Sequence, residues 1–108
     1  MIDYFGEYMT VDKKLDDDGY DEQRILLKSI SKVLPVIMKN ELTPRQYLCL
    51  RLFYVHHKSQ SEIARELKLS QPTVCVHINT AKDIVNKYLN YCFYVLKKSN
   101  EQWLRFAG

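Results

Sequence analysis

Glycine and proline are scarce in this 108-residue chain, three of each, and the prolines fall at apparent element boundaries. So few turn formers disfavour a sheet protein with its many tight reversals and favour helices. Cysteine is equally scarce. Cys49, Cys75 and Cys92 are odd in number, lie at no metal-ligand spacing and accompany no secretory signal, which argues against a disulfide framework and for a cytoplasmic protein. Long apolar runs are missing too: the best, YLNYCFYVLKK at 88–98, is interrupted by Asn90 and ends in lysines, short of the ~18 residues a membrane span needs. No membrane partner is expected.

Catalytic and metal signatures are also wanting. There is no nucleophile elbow, no glycine-rich phosphate loop and no carboxylate pair, so no enzyme and no cofactor is expected. The run DDDG at 16–19 fails as a calcium loop, because counting from Gly19 puts Lys14 at the first ligand position and Ile25 at the final glutamate. His56 and His57 precede a capped serine and read as loop residues. Cys75 and His77, two apart on a helix, diverge, so a zinc site is rejected.

What is present is unevenly charged. The formal net charge is +3, but residues 1–40 carry 6 basic and 8 acidic side chains (net −2), whereas residues 41–98 carry 9 and 4 (net +5). The second part is the surface suited to a polyanion. Residues 1–20 mix carboxylates with three tyrosines and show no period, so they read as a flexible acidic arm. A helical domain is expected over 21–98, followed by a short tail at 99–108. In that tail Trp103, Leu104 and Phe106 either fold back over the helices or anchor a partner.

Within the domain, Leu26, Ile30, Val33 and Ile37 mark the stripe of a first helix, with Leu27 and Leu34 beside it, ending or kinking near Leu34 because Pro35 follows. TPRQ at 43–46 is a capping box that starts a second helix at Pro44, running to about Val55 and burying Tyr47, Leu48, Leu50, Leu52 and Phe53. SQSE at 59–62 repeats the device and opens a short third helix burying Ile63, Ala64 and Leu67. Ser70 then caps a fourth helix expected to reach Lys98, with Val74, Ile78, Ala81, Val85, Tyr88, Cys92 and Val95 in four-three alternation. The whole predicts an all-α, four-to-five-helix domain with a helix-turn-helix at 59–82 and a long C-terminal recognition helix at 70–98. Ala64 serves the helix crossing, and Leu69 and Val74 lock its angle.

These residues, LTPRQYLCLRLFYVHHKSQSEIARELKLSQPTVCVHINTAKDIVNKYL at 42–89, resemble region four of bacterial sigma factors and the small phage or mobile-element regulators built on it. The resemblance implies a last helix that enters the major groove of double-stranded DNA, a role in transcription initiation or its control, and RNA polymerase as a second partner. Lys68 stands at the turn position where this family usually has glycine. No stretch resembling sigma region two accompanies the domain, so a regulator rather than a complete sigma factor is expected.

The reading helix is unusual in having neither Arg nor Lys in its first three turns, QPTVCVHINT. With Val74, Ile78 and Ala81 inward, the opposite face holds Pro72, Val76, Asn79, Thr80 and Asp83, flanked by Thr73 and Cys75, with Gln71 at the tip. Gln and Asn pair bidentately with adenine and Val can lie against a thymine methyl, so the face suits A·T-rich steps. Lys58, Arg65, Lys68, Lys82 and Lys87 surround it as phosphate contacts. The same uncharged face also suits a helix-turn-helix repurposed to dock on protein. Finally, the apolar residues of the distal helix, Tyr88, Leu89, Cys92, Phe93, Val95 and Leu96, exceed what one neighbour covers, which predicts a homodimer and a palindromic target.

Overall fold

The computed structural model describes the backbone of residues 2–10 and 22–107 and the side chains of 2–10 and 25–99. Among them are five helices and no strand: α1 (Tyr4–Thr10), α2 (Glu22–Glu41), α3 (Pro44–Tyr54), α4 (Gln60–Leu67) and α5 (Gln71–Ala107). At 1.5 Å per residue the 37 residues of α5 make a rod of about 55 Å, close to the 59 Å longest dimension of the molecule. The other helices pack along it.

The core follows from one stripe on that rod. Val74, Ile78, Ala81, Val85, Leu89 and Phe93, three or four residues apart, are all buried, and they meet Leu27, Ile30, Leu34 and Ile37 of α2, Cys49 and Leu50 of α3, and Ile63 and Ala64 of α4. Each fully buried Leu, Ile or Phe contributes roughly 1.5–3 kcal/mol. Tyr88 ties α5 to the end of α2, its hydroxyl donating to Glu41 Oε2 at 2.8 Å. That bond, and the charge of Glu41 behind it, raise the Tyr88 pKa.

The capping segment of α3 acts as expected, and that of α4 in part. At α3 the box is complete: the Gln46 amide donates to Thr43 Oγ1 at 3.2 Å and the Thr43 amide to Gln46 Oε1 at 3.0 Å. At α4 the Glu62 amide donates to Ser59 Oγ at 3.1 Å, but the Glu62 carboxylate accepts from the Ser59 hydroxyl instead of the backbone. α3 ends at Tyr54, with Val55 as its cap. Leu48, expected in the core, is 38% exposed, and its neighbour Cys49 takes the buried position.

Packing settles one expectation and corrects another. Of the two outcomes expected at Pro35, an end or a kink, the end is excluded: α2 runs through Pro35 to Glu41. A proline inside a helix costs ~3 kcal/mol. Leu34 and Ile37 are buried on either side of it and the exposed ring lies on the solvent face, so apolar burial of similar or larger size keeps the helix whole. The N-terminal residues are not a loose arm where they are described. Residues 4–10 form α1, and Phe5 is fully buried, its ring edge-on to Tyr54 with centroids 5.1 Å apart.

Helix α1 is too short to stand alone in water, so α5 holds it by its backbone. Asn86 Oδ1 accepts from the Phe5 amide at 2.8 Å, and Asn90, one turn further on, accepts from the Ile2 amide at 3.1 Å and donates to the Ile2 carbonyl at 2.8 Å. First-turn amides lack intrahelical partners, and α5 supplies one. Asp3 caps the same turn: its Oδ1 accepts from the Gly6 amide at 2.9 Å and from Asn86 Nδ2 at 2.7 Å. A Cβ at Gly6 would run into that carboxylate. The acidic DDDG run lies outside the described residues. Residues 99–107, expected as a tail, continue α5 in their backbone, and the side chains of Trp103, Leu104 and Phe106 fall outside the description.

Candidate nucleic-acid interface

The turn between α4 and α5 sets the angle at which α5 is presented. Lys68 closes α4 in the left-handed conformation, φ 56° and ψ 44°. Its amide donates to the Arg65 carbonyl at 3.4 Å, and the Leu69 amide donates to the Ala64 carbonyl at 2.8 Å. These two bonds are the paired C-terminal closure that glycine usually serves. A lysine adopts it here at some conformational cost. Ser70 then starts α5, its Oγ accepting from the Thr73 amide at 3.3 Å and lying 2.7 Å from Thr73 Oγ1. Ala64 and Ile63 are buried against Val74 and Ile78, as a close helix crossing requires.

The first three turns of α5 present the expected face. Gln71, Pro72, Val76, Asn79 and Thr80 are exposed, and Thr73 and Cys75 flank it half-buried. Val76, at 62% exposure, is the most prominent apolar group there. Two polar members are oriented by neighbours. Gln71 Oε1 accepts from Ser61 Oγ at 3.3 Å, which ties the tip of α5 back to α4. Asn79 Nδ2 donates to Cys75 Sγ at 3.4 Å, one turn earlier. Pre-ordered amides lose less entropy when they meet a base edge.

The surrounding cations divide into two groups. Arg65, Lys68 and Lys87 are exposed. Lys58 instead lies 2.6 Å from Glu66 Oε2, so a phosphate would compete with that carboxylate. Lys82 is half-buried, its Nζ 5.8 Å from the centre of the Tyr54 ring. Asp3 lies across a shallow cleft from it, lined also by Ile2, Asp83 and Asn86. The Gly6 amide, then the Asn86 amide, hold the Asp3 carboxyl below its ordinary value, and Lys82 adds a smaller pull. No periodicity in residues 1–20 signals this acidic neighbour; the detectable hint is the pair Asn86 and Asn90, polar and one turn apart on a helix otherwise apolar there.

The distal residues expected at a dimer interface are largely engaged within the chain. Leu89 and Phe93 are buried, with the Phe93 ring 4.7 Å from that of Tyr4 in α1, and Tyr88 is bonded to Glu41. Cys92 is half-buried. Only Val95 and Leu96 of the six remain exposed. α1 takes up part of the apolar surface that the sequence shows in excess, through Tyr4 on Phe93, and Val95 and Leu96 are left open.

Cys49 is buried in the core, and desolvation raises its pKa, which disfavours the thiolate. Among the described residues no three His, Cys, Asp or Glu side chains converge as metal ligands, and no helix is long and apolar enough to cross a membrane.

A capped helix pair with an alanine at the crossing, and an exposed second helix ringed by cations, is the arrangement of a DNA-binding helix-turn-helix. The family described as Sigma-70, region 4, matches residues 40–83, from the end of α2 to the fourth turn of α5. The chain thus carries a sigma region-four-like helix-turn-helix domain, DNA-binding and of the sigma or regulator type. No curated protein and no solved structure matches the chain. α1, nearly all of α2 and the distal part of α5 lie outside the matched residues.

Proposed function

We propose that this protein is a transcription regulator that reads double-stranded DNA by placing the first three turns of α5 in the major groove, and that it also contacts RNA polymerase, as its family relation suggests. Gln71, Pro72, Thr73, Cys75, Val76, Asn79 and Thr80 meet base edges, with preference for A·T-rich steps. Arg65, Lys68 and Lys87 meet phosphates directly, whereas Lys58 and Lys82 must first leave Glu66 and Tyr54. The observation that carries this reading is the exposed, uncharged face at the start of α5, fixed by the Lys68 turn and ringed by cations.

Selection from a random duplex library, followed by fluorescence anisotropy at two salt concentrations, tests it. Binding should weaken steeply with salt. Replacing Gln71, Val76 or Asn79 by Ala should alter the selected sequence, at about 1–3 kcal/mol for a good bidentate contact. An absence of binding at micromolar protein in low salt would refute the reading. A second reading, docking on protein alone, is favoured by the outward Val76 and Asp83. It requires a complex with RNA polymerase or a sigma factor that survives when duplex binding is nil.

A further inference from the structure

The stripe that begins on the reading face does not stop where the groove would end. Val76 and Thr80 are continued by Asp83, Lys87, Tyr91 and Tyr94 at steps of three or four residues, which places them on one side of α5. Lys98 follows at the next step. Tyr91 and Tyr94 are 61% and 63% exposed, and the Lys98 ammonium lies 5.8 Å from the centre of the Tyr94 ring. Tyr91 sits about 23 Å along the helix from Val76, at 1.5 Å per residue. A major groove ~12 Å wide cannot contain both.

Chemistry narrows what covers this outer face. From Ile84 to Lys98 the sequence has three lysines and no carboxylate. A symmetric second copy paired across that stretch would set lysine against lysine, with Asp83 the nearest carboxylate before it on the stripe. Exposed tyrosine rings interleaved with ammonium groups match a strand that offers flat bases and phosphates. A duplex flank uses the lysines but leaves the rings idle, because its bases are already stacked.

We propose that the Tyr91–Lys98 face of α5 is a second nucleic-acid site, which binds the unpaired single strand that continues from the duplex held by the first turns of the same helix. Tyr91 and Tyr94 stack on bases and Lys98 meets the strand's backbone, while Lys87 stays on the duplex phosphates at the junction. This rests on the duplex-reading proposal above, and the two fail separately in the following experiment.

The full chain is titrated by fluorescence anisotropy with its selected blunt duplex, with the same duplex carrying a ~10-nucleotide oligo-dT overhang at either end, and with oligo-dT alone. One overhang should tighten binding by about fivefold or more, the ratio given by ~1 kcal/mol of base stacking. The Tyr91→Ala/Tyr94→Ala double variant, whose changes lie on the exposed surface, should lose that gain while binding the blunt duplex as before. Failure of the blunt duplex to bind overturns the helix-turn-helix reading, and binding of oligo-dT that depends on both tyrosines then still upholds the strand site. An overhang gain under twofold, or a gain that persists in the double variant, overturns the strand site. So does competition by poly-glutamate as effective as that by oligo-dT, which would assign the face to acidic protein.

Discussion

Lys68 allows the backbone and the charge of the turn to be tested apart. Its left-handed conformation costs an L-residue roughly 1–2 kcal/mol, while a glycine there surrenders roughly 0.5–1 kcal/mol through the greater freedom of its unfolded chain. Lys68→Gly should therefore stabilise the domain by about 0.5–1 kcal/mol, or about 2–4 °C in Tm for a chain of this length. Lys68→Ala retains the strained conformation and should leave Tm within about 2 °C. Both remove the same ammonium, so both should weaken duplex binding alike and lower the slope of log K against log salt by ~0.9, the loss of one phosphate contact. Thermal melts followed by circular dichroism, paired with anisotropy across a salt series, read both quantities. A Lys68→Gly protein less stable than the parent by 1 kcal/mol or more would refute the turn geometry. Unequal salt slopes in two equally folded variants would refute the phosphate role.

The remaining predictions concern α1 and the distal seam. Phe5→Ala should cost ~3–5 kcal/mol in urea unfolding, as for a fully buried aromatic; a loss under 1 kcal/mol would mean that α1 is not part of the core. Asp3 has a lowered pKa in the folded state, so its contribution to holding α1 is present above the ordinary aspartate range near ~4 and is lost as pH falls through the lowered value. Amide shifts of Phe5 and Gly6 followed by NMR should report that acid transition, and Asp3→Asn should abolish it; a transition that persists in Asp3→Asn assigns it elsewhere. Phe93→Asp should destabilise the monomer, because Phe93 is buried beside Tyr4, whereas Leu96→Asp should leave the melting curve within about 2 °C. Light scattering that showed a stable, folded Phe93→Asp monomer derived from a parent dimer would instead return Phe93 to an intermolecular seam.

How much of this was legible in the sequence depended on whether the signal was local. The capping residues Thr43, Ser59 and Ser70 bond backbone amides three residues away, so the starts of α3, α4 and α5 could be read directly, as could the inward stripe of Val74, Ile78 and Ala81. At Pro35 the sequence left an end and a kinked continuation both open, because the proline acts locally, whereas the choice rests on Leu34 and Ile37 packing on distant residues. α1 was hidden for the same reason. Seven residues with one glycine carry no helical period, and the groups that fix them, Asn86 and Asn90, lie more than eighty positions away. That one omission propagates: without α1 the distal apolar residues exceed what one neighbour covers and the excess reads as a seam for a second copy, whereas α1 takes up Phe93 and leaves Val95 and Leu96 exposed. At the reading face the logic is similar. Which residues point outward follows from helical period alone, but which cations stand open depends on Glu66 and Tyr54, neighbours that spacing on α5 does not reveal. A helix whose reading turns lack any cation of their own must draw its phosphate contacts from the turn before it and the rod beyond it. Arg65, Lys68 and Lys87 are therefore the positions at which a change of charge should alter DNA affinity most.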